Sequence, residues 1–124
     1  MSGPVALRAL RGAITCSENT REEIVSRTQT LVTEMLRRNE VAHDDLVSII
    51  FTATPDLTAE FPATAARALG LGDVPLLCAR ELAVDGGMPL CVRVLVHLDT
   101  DRDRSELHHV YLEGARALRD DLPA

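Results

Sequence analysis

The clearest pattern along the chain is an apolar stripe at Ile24, Thr28, Leu31, Val32, Met35 and Leu36. Positions spaced by three and four share one face of a helix, so the stripe predicts a buried helical side. Thr20-Arg21-Glu22-Glu23 precedes it with the spacing of a capping box. The Thr20 hydroxyl can accept from the Glu23 amide while the Glu23 carboxylate reaches back. Arg37 and Arg38 suit the negative end of the helix dipole and Asn39 suits the exit, which predicts a helix from Arg21 to about Arg38.

Other segments carry strand patterns. Val5 to Thr15 reads as a strand with Leu10, Ala13 and Ile14 apolar and with Arg8 and Arg11 interrupting. Leu46 to Thr54 is rich in β-branched and large apolar residues and stops at the turn signal Thr54-Pro55-Asp56. Pro62 stands where a helix can begin, and Ala65, Ala66 and Leu69 with Gly70 behind predict a short one. Val74 to Leu77 predicts a short buried strand, followed by a polar run and the turn Asp85-Gly86-Gly87. Cys91 to Leu98 is almost wholly apolar, the pattern of a strand covered on both faces. In the last segment Leu107, Val110, Tyr111, Gly114, Ala117 and Leu118 fit a helical stripe. Strand, helix, strand, helix, strand, strand and a final undecided element make an α/β or α+β sheet protein.

At 124 residues, with neither a repeat nor a linker, residues 1–124 are expected to form one domain. Thirteen basic and nineteen acidic residues leave a net charge of −6, and the only aromatics are Phe51, Phe61 and Tyr111. Such a surface lacks the positive field and the stacking platforms that nucleic acid needs, and anionic membranes are disfavoured for the same electrostatic reason. The longest apolar stretch, Leu46 to Phe51, falls far short of the roughly 20 residues that cross a bilayer. Cys16, Cys78 and Cys91 are odd in number and lack CxxC spacing. With no apolar leader behind Met1-Ser2-Gly3-Pro4, a reduced, cytoplasmic protein is expected. Every basic residue is Arg, so lysine Schiff-base chemistry is excluded.

Most of the charged residues, among them Arg21, Glu22, Arg27, Arg102 and Arg104, read as solvated faces. Arg11 within the first strand, Arg93 within Cys91-Val92-Arg93-Val94-Leu95-Val96, and Glu81 just beyond Leu76-Leu77-Cys78 do not. A guanidinium in an apolar strand must find an anion or reach water. Three readings stay open at this point: an edge Arg that snorkels, a structural Arg93–Glu81 ion pair, or a pocket for a carboxylated ligand. Cys78 has no His placed beside it by any motif and reads as packing rather than a nucleophile. His108-His109 is no metal signature, because adjacent strand residues face opposite ways, and His43 and His97 are isolated. No metal, nucleotide or flavin site follows from these residues.

One resemblance runs through nearly the whole chain. Arg8-Ala9-Leu10-Arg11-Gly12-Ala13-Ile14-Thr15 is followed by Glu18-Asn19-Thr20, and Thr52-Ala53-Thr54-Pro55-Asp56-Leu57 leads to Phe61-Pro62-Ala63 and Ala66-Arg67. Then come Val74-Pro75-Leu76-Leu77-Cys78 with Glu81, Gly86-Gly87, Cys91-Val92-Arg93-Val94, His109-Val110-Tyr111-Leu112-Glu113 and Leu118-Arg119. In order and spacing these pieces resemble the monofunctional chorismate mutases of the Bacillus type, the AroH class.

The resemblance implies a small mixed sheet on one long helix, assembled as a homotrimer with a pseudo-α/β barrel at its centre and active sites between subunits. It also implies that His109 to Leu118 is a strand, against the helical stripe, and we follow it because tertiary context overrides propensity. The implied reaction is the Claisen rearrangement of chorismate to prephenate, which needs neither cofactor nor metal nor proton transfer. It asks the protein to hold a flexible dianion compactly and to stabilise charge on the ether oxygen and the ring. By motif, Arg93 donates to the ether oxygen and a substrate carboxylate, Glu81 binds the ring hydroxyl, and Cys78 is a polar contact near it. Arg11 and Tyr111 hold the carboxylate on the enolpyruvyl side. Phe61 and Arg67 are expected from the neighbouring subunit. Ala63, Leu77 and Leu118 belong to the lining, and Arg119 to a C-terminal lid. Thr64 stands where the resembling enzymes carry a Lys, and Leu77 where they carry a Thr. The loop Gly70-Leu71-Gly72-Asp73 is one residue shorter, and Gly114-Ala115-Arg116 replaces a more β-branched stretch. A non-catalytic trimer binding small carboxylates in the same cleft is the alternative, since one fold hosts unrelated functions.

Overall fold

The computed structural model describes residues 4–121, with side chains through Leu118. Five strands, β1 (Ala6–Thr15), β2 (Leu46–Ala53), β3 (Leu76–Arg80), β4 (Cys91–Thr100) and β5 (Val110–Leu112), form one sheet in the order β3-β2-β4-β1-β5. β4 lies at the centre and runs antiparallel to β1 and β2, whereas β2–β3 and β1–β5 are parallel. The architecture is therefore the expected mixed sheet of an α+β protein.

The long helix α1 spans Arg21–Arg38 as predicted, and Thr20 Oγ1 accepts from the Glu23 amide at 3.2 Å. The other half of the capping box is different. The Glu23 carboxylate accepts from the Ser17 amide and from Arg27 Nε, both at 2.8 Å, and so ties the helix to the preceding loop. Ile24, Leu31, Val32 and Met35 of α1 are fully buried against Leu10, Ile14, Ile49, Phe51, Val92 and Val96 of the sheet. Each such side chain contributes about 1.5–3 kcal/mol of burial. A Cβ on Gly12 would meet the side chains of Met35 and Leu31, so glycine lets α1 approach β1 closely.

At the helix exit Asn39, 2% exposed, does more than terminate α1. Its Nδ2 donates to the carbonyls of Met35 (2.8 Å) and His108 (2.9 Å), while its Oδ1 accepts from the His108 amide (2.7 Å). Arg102, read from sequence as solvated, donates to the Asn39 carbonyl and to Glu40. The segment that leads into β5 is thereby fastened to the end of α1.

Three expectations need correction. β3 begins two residues later than predicted and is an edge strand, so Leu77 is 62% exposed rather than buried. β4 is covered by α1 on one face only: Val92, Val94 and Val96 are buried, whereas Arg93 is exposed and Leu95 and His97 are half-buried. The C-terminal segment is neither one helix nor a strand from His109 to Leu118. β5 has three residues, and a 3₁₀ stretch over Glu113–Asp121 follows. Glu113 adopts a φ of 52°, which breaks the strand, and the Gly114 amide donates to Thr15 Oγ1 at 2.8 Å. The short helix α2 (Ala63–Ala68) follows Pro62 as expected, and Gly70 beyond it takes the left-handed φ of 85°.

Candidate active site

Strand register places the candidate residues. On the face that α1 leaves open, Ala79, Thr52, Arg93, Ala13 and Tyr111 form one cross-strand row. Leu77, Ile50, Leu95 and Arg11 form the adjacent row. Five strands thus bring side chains more than 90 positions apart in sequence onto one surface. A cavity of about 270 Å³ opens over it, lined by Arg11, Ala13, Ile50, Thr52, Glu81, Arg93, Leu95 and Tyr111.

Glu81 sits just past β3, where its amide donates to the Ala53 carbonyl at 2.9 Å. Its carboxylate accepts from the Thr52 hydroxyl through Oε2, and Arg93 Nε stands 3.8 Å from that same oxygen. At 3.8 Å the pair is electrostatic rather than a hydrogen bond. Among the described residues, Glu81 Oε1 and the terminal nitrogens of Arg93 therefore keep their hydrogen-bonding capacity for a ligand. The loop that follows Glu81 is held from the far end, where the Leu90 amide donates to Asp56 Oδ2 at 3.0 Å and the Cys91 amide to Thr54 Oγ1 at 3.0 Å. The Thr54-Pro55-Asp56 turn thus works as an anchor for the site loop.

Arg11 and Tyr111 line the same cavity, and Tyr111 is packed with Ala13, Cys91 and Ala115 at 9% exposure. The Arg11 amide donates to His109 Nδ1 at 2.9 Å. The His109 pKa lies below its ordinary value, first because the ring is desolvated and then because Arg11 and His108 repel a proton. Burial, with the Glu23 charge adding to it, pushes the Cys16 thiol up to about 11, and burial also raises Cys91. Neither thiol is a nucleophile at neutral pH.

The expected set divides into two groups. Arg11, Glu81, Arg93 and Tyr111 are brought together. Cys78 and Phe61 line a separate cavity of about 490 Å³ along the ends of β2 and β3. Ala63 is buried at the start of α2, Arg67 is exposed on it, Leu77 is exposed on the open face, and Leu118 packs near Tyr111. The Arg119 side chain lies outside the described residues. Sequence reasoning missed Thr52, Ile50, Leu95 and His109. Alternation along β2 marks Ile50 and Thr52 as sharing a face, but only the register shows that Arg93 is their neighbour. Among the described residues no group of three His, Cys, Asp or Glu side chains could hold a metal ion. No described helix is long and apolar enough to cross a membrane.

An arginine–carboxylate pair with free donors, a second arginine and a tyrosine on an uncovered sheet face define a site for an anionic small molecule. Over residues 7–122 the chain matches the family described as chorismate mutase type I, and it belongs to that family. It is 46% identical over 117 residues to chorismate mutase AroH of Thermus thermophilus, covering 94% of this chain and 96% of that protein. It is 41% identical over 117 residues to chorismate mutase AroH of Bacillus subtilis (strain 168), covering 94% and 92%. Among solved structures, a chorismate mutase from Clostridium thermocellum superposes with a TM-score of 0.87 at 48% identity, covering 89% of this chain and 98% of that one.

Proposed function

We propose that this chain rearranges chorismate to prephenate in a cleft built around Arg93, Glu81 and Arg11 and completed by a neighbouring copy in a homotrimer. The observation that carries the reading is the Thr52–Glu81–Arg93 cluster facing Arg11 and Tyr111 over the open cavity. Substrate, a flexible dianion, would place its carboxylates on Arg11, Tyr111 and Arg93. Arg93 would also donate to the ether oxygen as negative charge develops there. Glu81, fixed by Thr52 before substrate arrives, would take the ring hydroxyl and set its charge beside the developing cation. Donors and acceptors held in advance are worth far more in such a site than in water. No proton, electron or group leaves the substrate, so the site needs no nucleophile.

Two features support the trimer. The row Leu77, Ile50, Leu95 and Arg11 is a mostly apolar surface that the described residues leave open, and Leu7, Leu77 and Phe61 are 57%, 62% and 67% exposed. Phe61 and Arg67 do not reach the cavity of their own chain, which agrees with their closing the cleft of the next subunit. Ala63 and Leu118 would border that junction, with Cys78 at its edge. Three unpaired thiols, two of them buried, suit a cytoplasmic setting. Thr64 offers no cation at the mouth, which predicts a higher KM than a Thr64→Lys variant shows. Purified protein should bring about saturable loss of chorismate's near-ultraviolet absorbance without added cofactor, with acid converting the product to phenylpyruvate. Loss at only the spontaneous rate, from a folded trimer, rejects the reading.

A further inference from the structure

We infer that His109 is a positioning residue for Arg11: its imidazole takes the place of a strand carbonyl and pins the Arg11 backbone at the edge of β1. The inference rests on the reading that Arg11 binds a substrate carboxylate. β1 is paired on both sides only from Gly12 to Ile14, where β5 runs beside it. From Ala6 to Arg11 it has β4 on one side and, among the described residues, no strand on the other. Arg11 is therefore the first residue of an unpaired edge, and its N–H is a donor that the sheet does not satisfy. His109 Nδ1 accepts that N–H at 2.9 Å from a position 98 residues away. The bond extends the β1–β5 ladder by one residue, to the position whose side chain lines the cavity.

The acceptor is itself held in place. His108, its neighbour in sequence, has both backbone groups bound by the buried Asn39 side chain at 2.7 and 2.9 Å. A continuous path runs from the end of α1 through Asn39, the His108 backbone and the His109 ring to Arg11. Because Arg11 N–H is the donor, Nδ1 is the unprotonated nitrogen and the neutral ring carries its proton on Nε2. The surroundings preserve that state. His109 shares a cavity of about 410 Å³ with Arg8, Arg11 and Arg104, and among the described residues no carboxylate lines it. Cations around an imidazole disfavour imidazolium, which could not accept the bond. Arg104, read from sequence as a solvated residue, lines this cavity.

Kinetics and amide exchange on the full chain test the inference together. Asn presents an acceptor where Nδ1 stood, whereas Gln presents one a bond further out and Ala none. His109→Ala should raise KM for chorismate about fivefold, the worth of one hydrogen bond, with kcat changed less than about twofold. His109→Asn should restore KM, and His109→Gln should not. Exchange of the Arg11 amide should quicken in His109→Ala and slow again in His109→Asn. In an Arg11→Ala background, His109→Ala should add nothing. An equal KM cost in that background, or an Arg11 amide whose exchange ignores position 109, overturns the inference. If Arg11→Ala alone leaves KM unchanged, the assignment of Arg11 falls, and amide exchange still decides whether the clamp exists.

Discussion

The two faces of the sheet are built from the same strands and follow opposite rules. Beneath α1, Leu10, Ile14, Ile49, Phe51, Val92 and Val96 are buried and wholly apolar. One residue along each strand, the other face carries Arg11, Thr52 and Arg93 among Ala13, Ile50 and Leu95. The first face is filled from within the chain and fixes the fold. The second is left unfilled, and charge survives there because it remains half in water and beside other polar groups. Function thus occupies the side of the sheet that stability does not need.

Charge substitutions on alternate faces give the sharpest test of this contrast. Val96→Asp places an unpaired carboxylate under α1 at a position with no exposure. The cost of a buried unpaired charge is comparable to the whole stability of a domain, about 5–15 kcal/mol, so the variant should not fold. Leu77→Asp puts the same charge on the open face, at 62% exposure in the single chain. It should fold with native far-ultraviolet dichroism but sediment as a monomer with little activity. A trimer from Leu77→Asp would show that this face is not the subunit contact.

Arg93→Lys probes the open face alone. The substitution keeps the charge but loses the planar fork and moves the donor. Turnover should fall about 10³-fold, near 4 kcal/mol, as when a donor aimed at developing charge is removed. The melting temperature should change by only a few degrees, because Arg93 stands 3.8 Å from Glu81 and contributes little to the core. A large loss of stability with turnover preserved would make the pair structural.

The contrast between faces also explains what could be read from the chain. α1 was legible from Arg21 to about Arg38 because cap, stripe and dipole residues are local signals. The apolar run of β4 was legible as a strand. Cover on both faces was expected of it, yet among the described residues α1 covers one face and leaves Arg93 exposed. β5 was misjudged at both levels: three strand residues and a left-handed Glu113 are set by contacts with Thr15 and β1, not by neighbours in sequence. Arg11, Glu81 and Arg93 stood out as charge in apolar surroundings. Thr52 and His109 did not, since a Thr in a strand and a His before one are ordinary until register and a 98-residue contact give them partners.

The smallest expected effect is on the pH dependence of stability, and it belongs to the boundary between the faces. The folded state lowers the pKa of His109 from 6.5, through desolvation first and then Arg11 and His108. Arg8, Arg104 and His97 line the same cavity. Below pH 6.5 the unfolded chain accordingly takes up a proton at this position more readily than the folded one. Stability should decline as pH falls from 6.5 toward the lowered folded pKa, then level off, and should be unaffected above pH 7.5. His109→Asn keeps an acceptor that cannot titrate, so its denaturant midpoint should fall less over pH 6.5 to 5 than that of the parent protein. Parallel curves for parent and variant would mean that His109 takes its proton without losing the Arg11 bond, and that β1 is held at its edge by packing alone.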